Sequence, residues 1–339
     1  MKKDTPKGLT KPEIYSIICL TSPPGLCACL VLAYAHLGAF CYKEIFMSSK
    51  GFKTIDEQLD LLESRGLNIS DRQKAYDFLY RNNYYRVSGY SLTLRSHDVF
   101  SPSASFQNII DIYEFDYEMR HILMKYIERI EVVFKSVYAH EFTKVHAPDD
   151  YLDPQYFTDS KKHKEIITKA EDQKEKRHKH EAYLKHFIDD LQENLPLWAY
   201  VDLLTISDIS FIFKISEPSI KTAVANALGL NMSKGVDLLE HFMHLMTILR
   251  NLCAHGSRLF NRLFEQKPNP SKKEKKHLLT NAKGSIDNSH LYGYLFIMKK
   301  LLKTEEFSEM KSEMIALTKK STFVNMKYYG FNQDWKQVL

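Results

Sequence analysis

The sequence predicts an all-α fold, a helical bundle with an additional helical portion ahead of it. Apolar residues recur at helical spacing through long stretches, above all from Phe106 to about Val145 and from Val236 to Phe264. Thr54-Ile55-Asp56-Glu57 has the form of a capping box, and Ser70 or Asp71 marks a second helix start. With 44% hydrophobic residues among 339, the chain can bury a core as one large or two modest domains.

Taken in order, residues 1–46 differ in composition from the rest. Lys2, Lys3, Lys7 and Lys11 precede an apolar stretch that breaks at Ser22-Pro23-Pro24-Gly25 and resumes from Leu26 to Cys41. That second run, containing His36 and Gly38, is short for a membrane span. Residues 1–46 are therefore read as an upstream extension of a protein starting near Met47, and no stable membrane association is expected.

Residues 47–104 form a helical entry region. One helix opens at Thr54, carries Ile55, Leu59 and Leu62 on its apolar side and closes at Gly66; another runs to Asn82. Tyr84 to Tyr90 reads as a small strand or an aromatic turn, and Ser91 to Ser101 as loop. The tyrosines beside Arg86 can stack on bases of single-stranded RNA or pack the opening helices against the long ones.

Residues 105–339 form the main helical domain. Its first long helix is apolar around most of its circumference, as befits the interior of a bundle. Arg120, Glu128, Glu131 and Lys135 nevertheless fall within about 80° of one another on it. The acids either make ordinary salt bridges or orient a guanidinium or imidazole of the central helix, with Glu131 the better placed. Residues 147–155 form a turn-rich break, and residues 161–180 a charged insertion expected to project from the bundle, steering RNA or merely solubilising it. Pro196 starts or breaks a helix, and Trp198 reads as a packing anchor. Helices at Leu291–Leu302 and Phe307–Leu317 close the bundle, with Tyr328-Tyr329-Gly330-Phe331 and Trp335 packing back on it.

Composition narrows the function. A net charge of +5 is mild, so affinity for nucleic acid must come from clustering, and the lysines Lys272, Lys273, Lys275 and Lys276 supply one cluster, either for phosphate or as a solvated charge run. Four of five cysteines lie in the first 41 residues, leaving Cys253 alone in the body, which suits a reducing, cytoplasmic setting. Walker, dinucleotide, Cys-x-x-Cys and His-Glu-x-x-His patterns are absent, the carboxylate spacings pick out no metal site, and no cofactor is expected.

The chemistry concentrates in VDLLEHFMHLMTILRNLCAHGSRLFNRLF, residues 236–264. If its helix continues through Gly256, Arg250, Asn251, His255, Arg258 and Arg262 fall within about 140°. One imidazole then sits among three guanidiniums with no acid between Arg250 and Arg262, while Cys253 falls on the apolar side as a small core residue. Such a group can cleave an RNA phosphodiester without a metal, the histidine moving protons and arginine stabilising phosphate charge. The same spacing also suits a buried histidine beside arginines that make interfacial salt bridges.

Arg250-Asn251-Leu252-Cys253-Ala254-His255, continuing Gly256-Ser257-Arg258-Leu259-Phe260-Asn261-Arg262, resembles the RN-x-x-x-H motif of HEPN ribonucleases in the form found in Abi-like (AbiD/AbiF) phage-resistance proteins. Asn83-Tyr84-Tyr85-Arg86-Val87-Ser88-Gly89-Tyr90, Phe115-Asp116 with Arg120, and Leu195-Pro196-Leu197-Trp198 are similar to further segments of that family, so the resemblance runs from near Gly51 to the end of the chain. It implies a HEPN-like bundle and a metal-independent endoribonuclease acting in abortive infection. Arg250, Asn251 and His255 would be catalytic, with Arg258, Arg262, Arg120, Glu128 and Glu131 in support and the lysines on RNA. It further implies a homodimer that pairs two such faces, and possible restraint by a small RNA antitoxin. A non-catalytic RNA-binding or scaffolding protein is the rival reading, and a membrane-associated effector using the apolar arm a third.

Overall fold

In the computed structural model residues 51–281, 283–321 and 323–339 are described, so the expectation for residues 1–46 lies outside the described residues. Packing divides the chain after Thr54, and all the described helices and strands belong to the unit Ile55–Leu339. Its entry region begins with α1 (Ile55–Ser64) and α2 (Arg72–Asn82), which pack on each other through Leu59, Leu62, Ala75 and Leu79. Gly66 turns between them at φ +89°, a conformation that costs a residue with a Cβ. Asp71 caps α2 by accepting from the Lys74 amide at 2.9 Å.

The segment read as strand or turn is a helix, α3 (Tyr84–Ser88). Asn83 decides this. It ends α2, donating its amide to the Leu79 carbonyl at 2.9 Å, and starts α3, its side chain accepting from the Tyr85 amide at 2.9 Å. The expected loop contains a small antiparallel hairpin, β1 (Arg95–Ser96) with β2 (Val99–Phe100), pairing Arg95 with Phe100.

Ser105 and Asn108 form a capping box that opens α4 (Phe106–Thr143), about 57 Å long at 1.5 Å per residue. Buried residues such as Ile109, Phe115, Leu123, Ile127, Phe134 and Phe142 cover most of its circumference, and it runs through the bundle as the apolar pattern predicts.

Two 3-10 turns occupy the break before α5 (Ser160–Arg177). This charged insertion does not project. His163, Ile166 and Ala170 are buried, and much of its charge is spent locally, Glu165 bridging Lys162 and Lys169 at 3.1 and 2.8 Å. Next come α6 (Ala182–Lys185), a π turn, α7 (Leu197–Tyr200), α8 (Ile206–Ile215), α9 (Pro218–Ala227) and α10 (Gly235–Ala254). Trp198 is no packing anchor: Leu197 and Tyr200 turn inward on α7, leaving the indole 57% exposed. The lysine cluster forms a single turn, α11 (Lys272–Lys275), capped by Ser271. A second hairpin of β3 (Leu279–Thr280) and β4 (Ile286–Asp287) leads to α12 (Leu291–Leu301), α13 (Thr304–Lys320) and α14 (Trp335–Val338).

Around α4 are packed α7, α9, α10 and α13, while α10 also meets α8, α9 and α12. The fold is all-α apart from the two hairpins. Many tyrosines are interior: Tyr138 meets Ser216 at 2.8 Å and Tyr294 donates to the Gln266 carbonyl at 2.7 Å, whereas the buried Tyr292 hydroxyl has no hydrogen-bond partner among the described residues. Among the described residues no helix is long and apolar enough to cross a membrane.

Candidate active site

The site lies where α10 stops. Leu239, Phe242, Met243, Met246, Leu249 and Cys253 bury one side of this helix, leaving Asn251 and Ala254 exposed and Arg250 half-buried. The helix does not continue through Gly256. Gly256 adopts φ +62°, its amide donates to the Cys253 carbonyl at 3.0 Å, and the Ser257 amide donates to Leu252 at 2.8 Å. That pair of bonds is a Schellman ending, with His255 as the last half-helical residue and glycine where a left-handed conformation is required.

The five residues predicted to share a face are thereby divided. Arg250, Asn251 and His255 stay together at the exposed end of α10, with His255 following Asn251 by four residues and an Arg250 Nη1 to Asn251 Oδ1 contact of 3.4 Å. Arg250 Nε is buried without a hydrogen-bond partner, so this guanidinium retains unused donor capacity. Arg258 and Arg262 belong instead to the loop beyond the glycine. Arg258 Nη1 donates to the Phe260 and Asn261 carbonyls at 2.5 and 3.4 Å, and burial pulls its pKa below the ordinary arginine value. Arg262 donates to the Arg258 carbonyl at 3.4 Å. Both brace the loop.

What holds that loop is Asp116, an acid fully buried on α4. Its Oδ1 accepts from the Phe260 amide at 2.8 Å and the Tyr329 hydroxyl at 2.9 Å. Its Oδ2 accepts from the Leu259 amide at 3.1 Å, the Tyr90 hydroxyl at 2.8 Å and Arg120 Nη1 at 2.5 Å. One carboxylate thus ties the residues after the His255 turn to the entry region, the long helix and the C-terminal tail. Arg120, predicted as a supporting site residue, is the buried counter-ion of this carboxylate. Burial beside Asp116 lifts Tyr90 and Tyr329 far above ordinary tyrosine pKa values, so both hydroxyls stay protonated as donors.

Among the described residues no hydrogen bond or ion pair links Glu128 or Glu131 to His255. They follow Asp116 on α4 by twelve and fifteen residues, which is about 18 and 22 Å along the axis. Glu131 pairs with Lys135 at 2.8 Å, while Glu128 is exposed. Lys272, Lys273, Lys275 and Lys276 are exposed on and beside α11, and their neighbour Glu274 pairs with Lys300 at 2.8 Å rather than with them. Burial pushes the Cys253 thiol up to about 12, which suits a core residue. Among the described residues no group of three or more His, Cys, Asp or Glu side chains is placed to hold a metal ion.

The sequence marked Arg86 only as a neighbour of tyrosines in a family-like segment; its contact with the motif loop and the role of Asp116 were not foreseen. Arg86 Nη2 donates to the carbonyl of Gly256, the residue after His255, which brings a cation from α3 to the end of α10. A Cβ on Gly256 would lie 3.0 Å from that nitrogen, and one on Gly89 would lie 3.2 Å from Arg258 Nε. The entry region and the motif loop are thus in close contact.

The sequence model of the Abi-like protein family matches residues 77–261, more than half of the chain, from the middle of α2 to the motif loop. The chain belongs to the Abi-like family. The match contains α3, Asp116, Arg120, Arg250, Asn251 and His255 together. Abi-like membership supports a role in abortive infection as a defence against phage. No curated protein and no solved structure matches the chain.

Proposed function

We propose that this Abi-like protein is a metal-independent endoribonuclease of the HEPN type, acting in phage defence by cleaving RNA. The observation that carries the reading is the exposed His255 imidazole at the end of α10, beside Asn251 and Arg250, on a turn pinned through Asp116. A core histidine would lie under apolar side chains; this one is open to solvent.

In the proposed reaction the ribose 2′-oxygen attacks the adjacent phosphorus and the bond to the 5′-oxygen breaks. The 2′-hydroxyl loses a proton to a base and the leaving oxygen gains one from an acid. His255 serves one of these transfers, Arg250 holds the phosphate by its positive charge, and Asn251 orients imidazole or phosphate. The products are a 2′,3′-cyclic phosphate and a 5′-hydroxyl. One such helix end offers a single imidazole, so a symmetric homodimer that opposes two ends would supply the second proton-transfer group. A small RNA occupying the paired faces would restrain the enzyme.

Incubating labelled total RNA in EDTA with wild type and with His255→Ala tests the proposal. Wild type is expected to cleave and the variant to bind without cleaving, the rate falling roughly 10²- to 10⁴-fold. Equal cleavage by both proteins would overturn the catalytic assignment. RNA binding without cleavage by either would favour the non-catalytic alternative.

A further inference from the structure

We infer that the corner formed by the last turn of α2 and by α3 is a binding subsite for single-stranded RNA, which stacks a base on Tyr85 next to the His255 turn. The inference rests on the chain being an RNA-acting protein and adds where the substrate lies. Tyr80 and Tyr85 are 75% and 69% exposed; of the tyrosines beside Arg86, Tyr90 packs into the core and Tyr85 is left open to stack. Tyr84 is half-buried and meets Tyr85 edge to face at 5.9 Å between ring centres, which braces the exposed ring.

Position and charge select the ligand. Arg86, the residue after Tyr85, reaches the Gly256 carbonyl through one nitrogen and remains exposed, so this corner adjoins the proposed scissile position. Arg81 is also exposed and makes no ion pair among the described residues. From Phe78 to His97 the sequence contains no acid. Open aromatic faces interleaved with arginines that make no ion pair among the described residues match a polyanion with unstacked bases, since stacking needs a free π-face and the phosphates need cations. An acidic protein partner would use the charges but give the rings no comparable role.

The test measures binding of a fluorescein-labelled single-stranded RNA oligonucleotide to the full chain carrying His255→Ala, alone and combined with Tyr85→Ala or Tyr85→Trp. Tyr85→Ala is expected to weaken binding roughly 5- to 100-fold, as loss of one stacked base would, while Tyr85→Trp retains it. Binding to a duplex of the same sequence, whose bases are already stacked, should be unchanged by either substitution. Thermal melts should coincide, because the ring is exposed. Equal affinity of the Tyr85→Ala protein for the single strand would overturn the inference, as would equal losses with alanine and tryptophan. If Tyr85→Ala weakens binding but wild type never cleaves, the subsite stands and the nuclease reading fails. If wild type cleaves and Tyr85→Ala binds normally, the reverse holds.

Discussion

Replacing Asp116 with asparagine changes one oxygen to an NH2 group, yet it disrupts every segment around the site. In either amide orientation the new donors face a backbone N–H, that of Leu259 or of Phe260, and neither can become an acceptor. Arg120, only 3% exposed, loses its buried counter-charge at the same time. Breaking such a pair from one side costs about 3–5 kcal/mol, and each stranded amide adds part of a further ~1–3 kcal/mol, with overlap between the terms. A melting temperature lower by about 10 °C or more is expected for Asp116→Asn, read by calorimetry or circular dichroism. RNA cleavage measured well below that temperature should also fall, because the loop from Ser257 to Phe260 is released. A loss below about 1 kcal/mol, far under the cost of an unpaired buried charge, would refute the role assigned to Asp116.

Other outcomes follow from the same geometry. Gly256→Ala should destabilise by about 1–2 kcal/mol in urea unfolding, because φ +62° disfavours a side chain and the new methyl meets Arg86. Cys253 should resist thiol reagents at pH 8 until the protein unfolds, a difference that peptide mass spectrometry of labelled native and denatured protein will register. Burial alone would raise the Glu274 carboxyl, but bonds from Lys300 and from the Ser271 amide and hydroxyl hold it below the ordinary 4.5. Its contribution is therefore present above that pH and lost as pH falls beneath it, so Glu274→Gln should flatten the acid side of the stability curve. Sedimentation should show a dimer, and mixing inactive His255→Ala chains into wild type should depress activity more than dilution accounts for.

The parts of the fold that sequence reasoning reaches are those with local causes. The capping residues Asp71 and Ser105 and the apolar circumference of α4 locate their helices directly. The end of α10 was also locally marked, since glycine after a long apolar run is a stop signal, but the evenly spaced arginines beyond it suggested continuation. Tyr84 to Ser88, rich in residues at home in strands, becomes helical because Asn83 caps it and Val87 finds the core. Trp198 shows the opposite failure, a large apolar residue whose neighbours take the interior.

At the site, Arg250, Asn251 and His255 were readable from spacing and resemblance. Asp116 was visible as part of a family-like segment and as an acid one turn before Arg120 in an apolar helix, a hint of a buried pair but not of its other partners. Its partners Leu259, Phe260 and Tyr329 lie 143, 144 and 213 residues away, and no local pattern encodes such contacts. The contact of Arg86 with a carbonyl 170 residues distant was hidden for the same reason.

The measurement that bears most directly on the account is the chemistry of the ends left by wild-type protein on a single-stranded RNA in EDTA. Attack by the 2′-oxygen predicts a 2′,3′-cyclic phosphate opposite a 5′-hydroxyl, and no cut where the nucleotide preceding the scissile bond is 2′-deoxy. A 5′-phosphate opposite a 3′-hydroxyl, or undiminished cutting at the deoxy position, would contradict it.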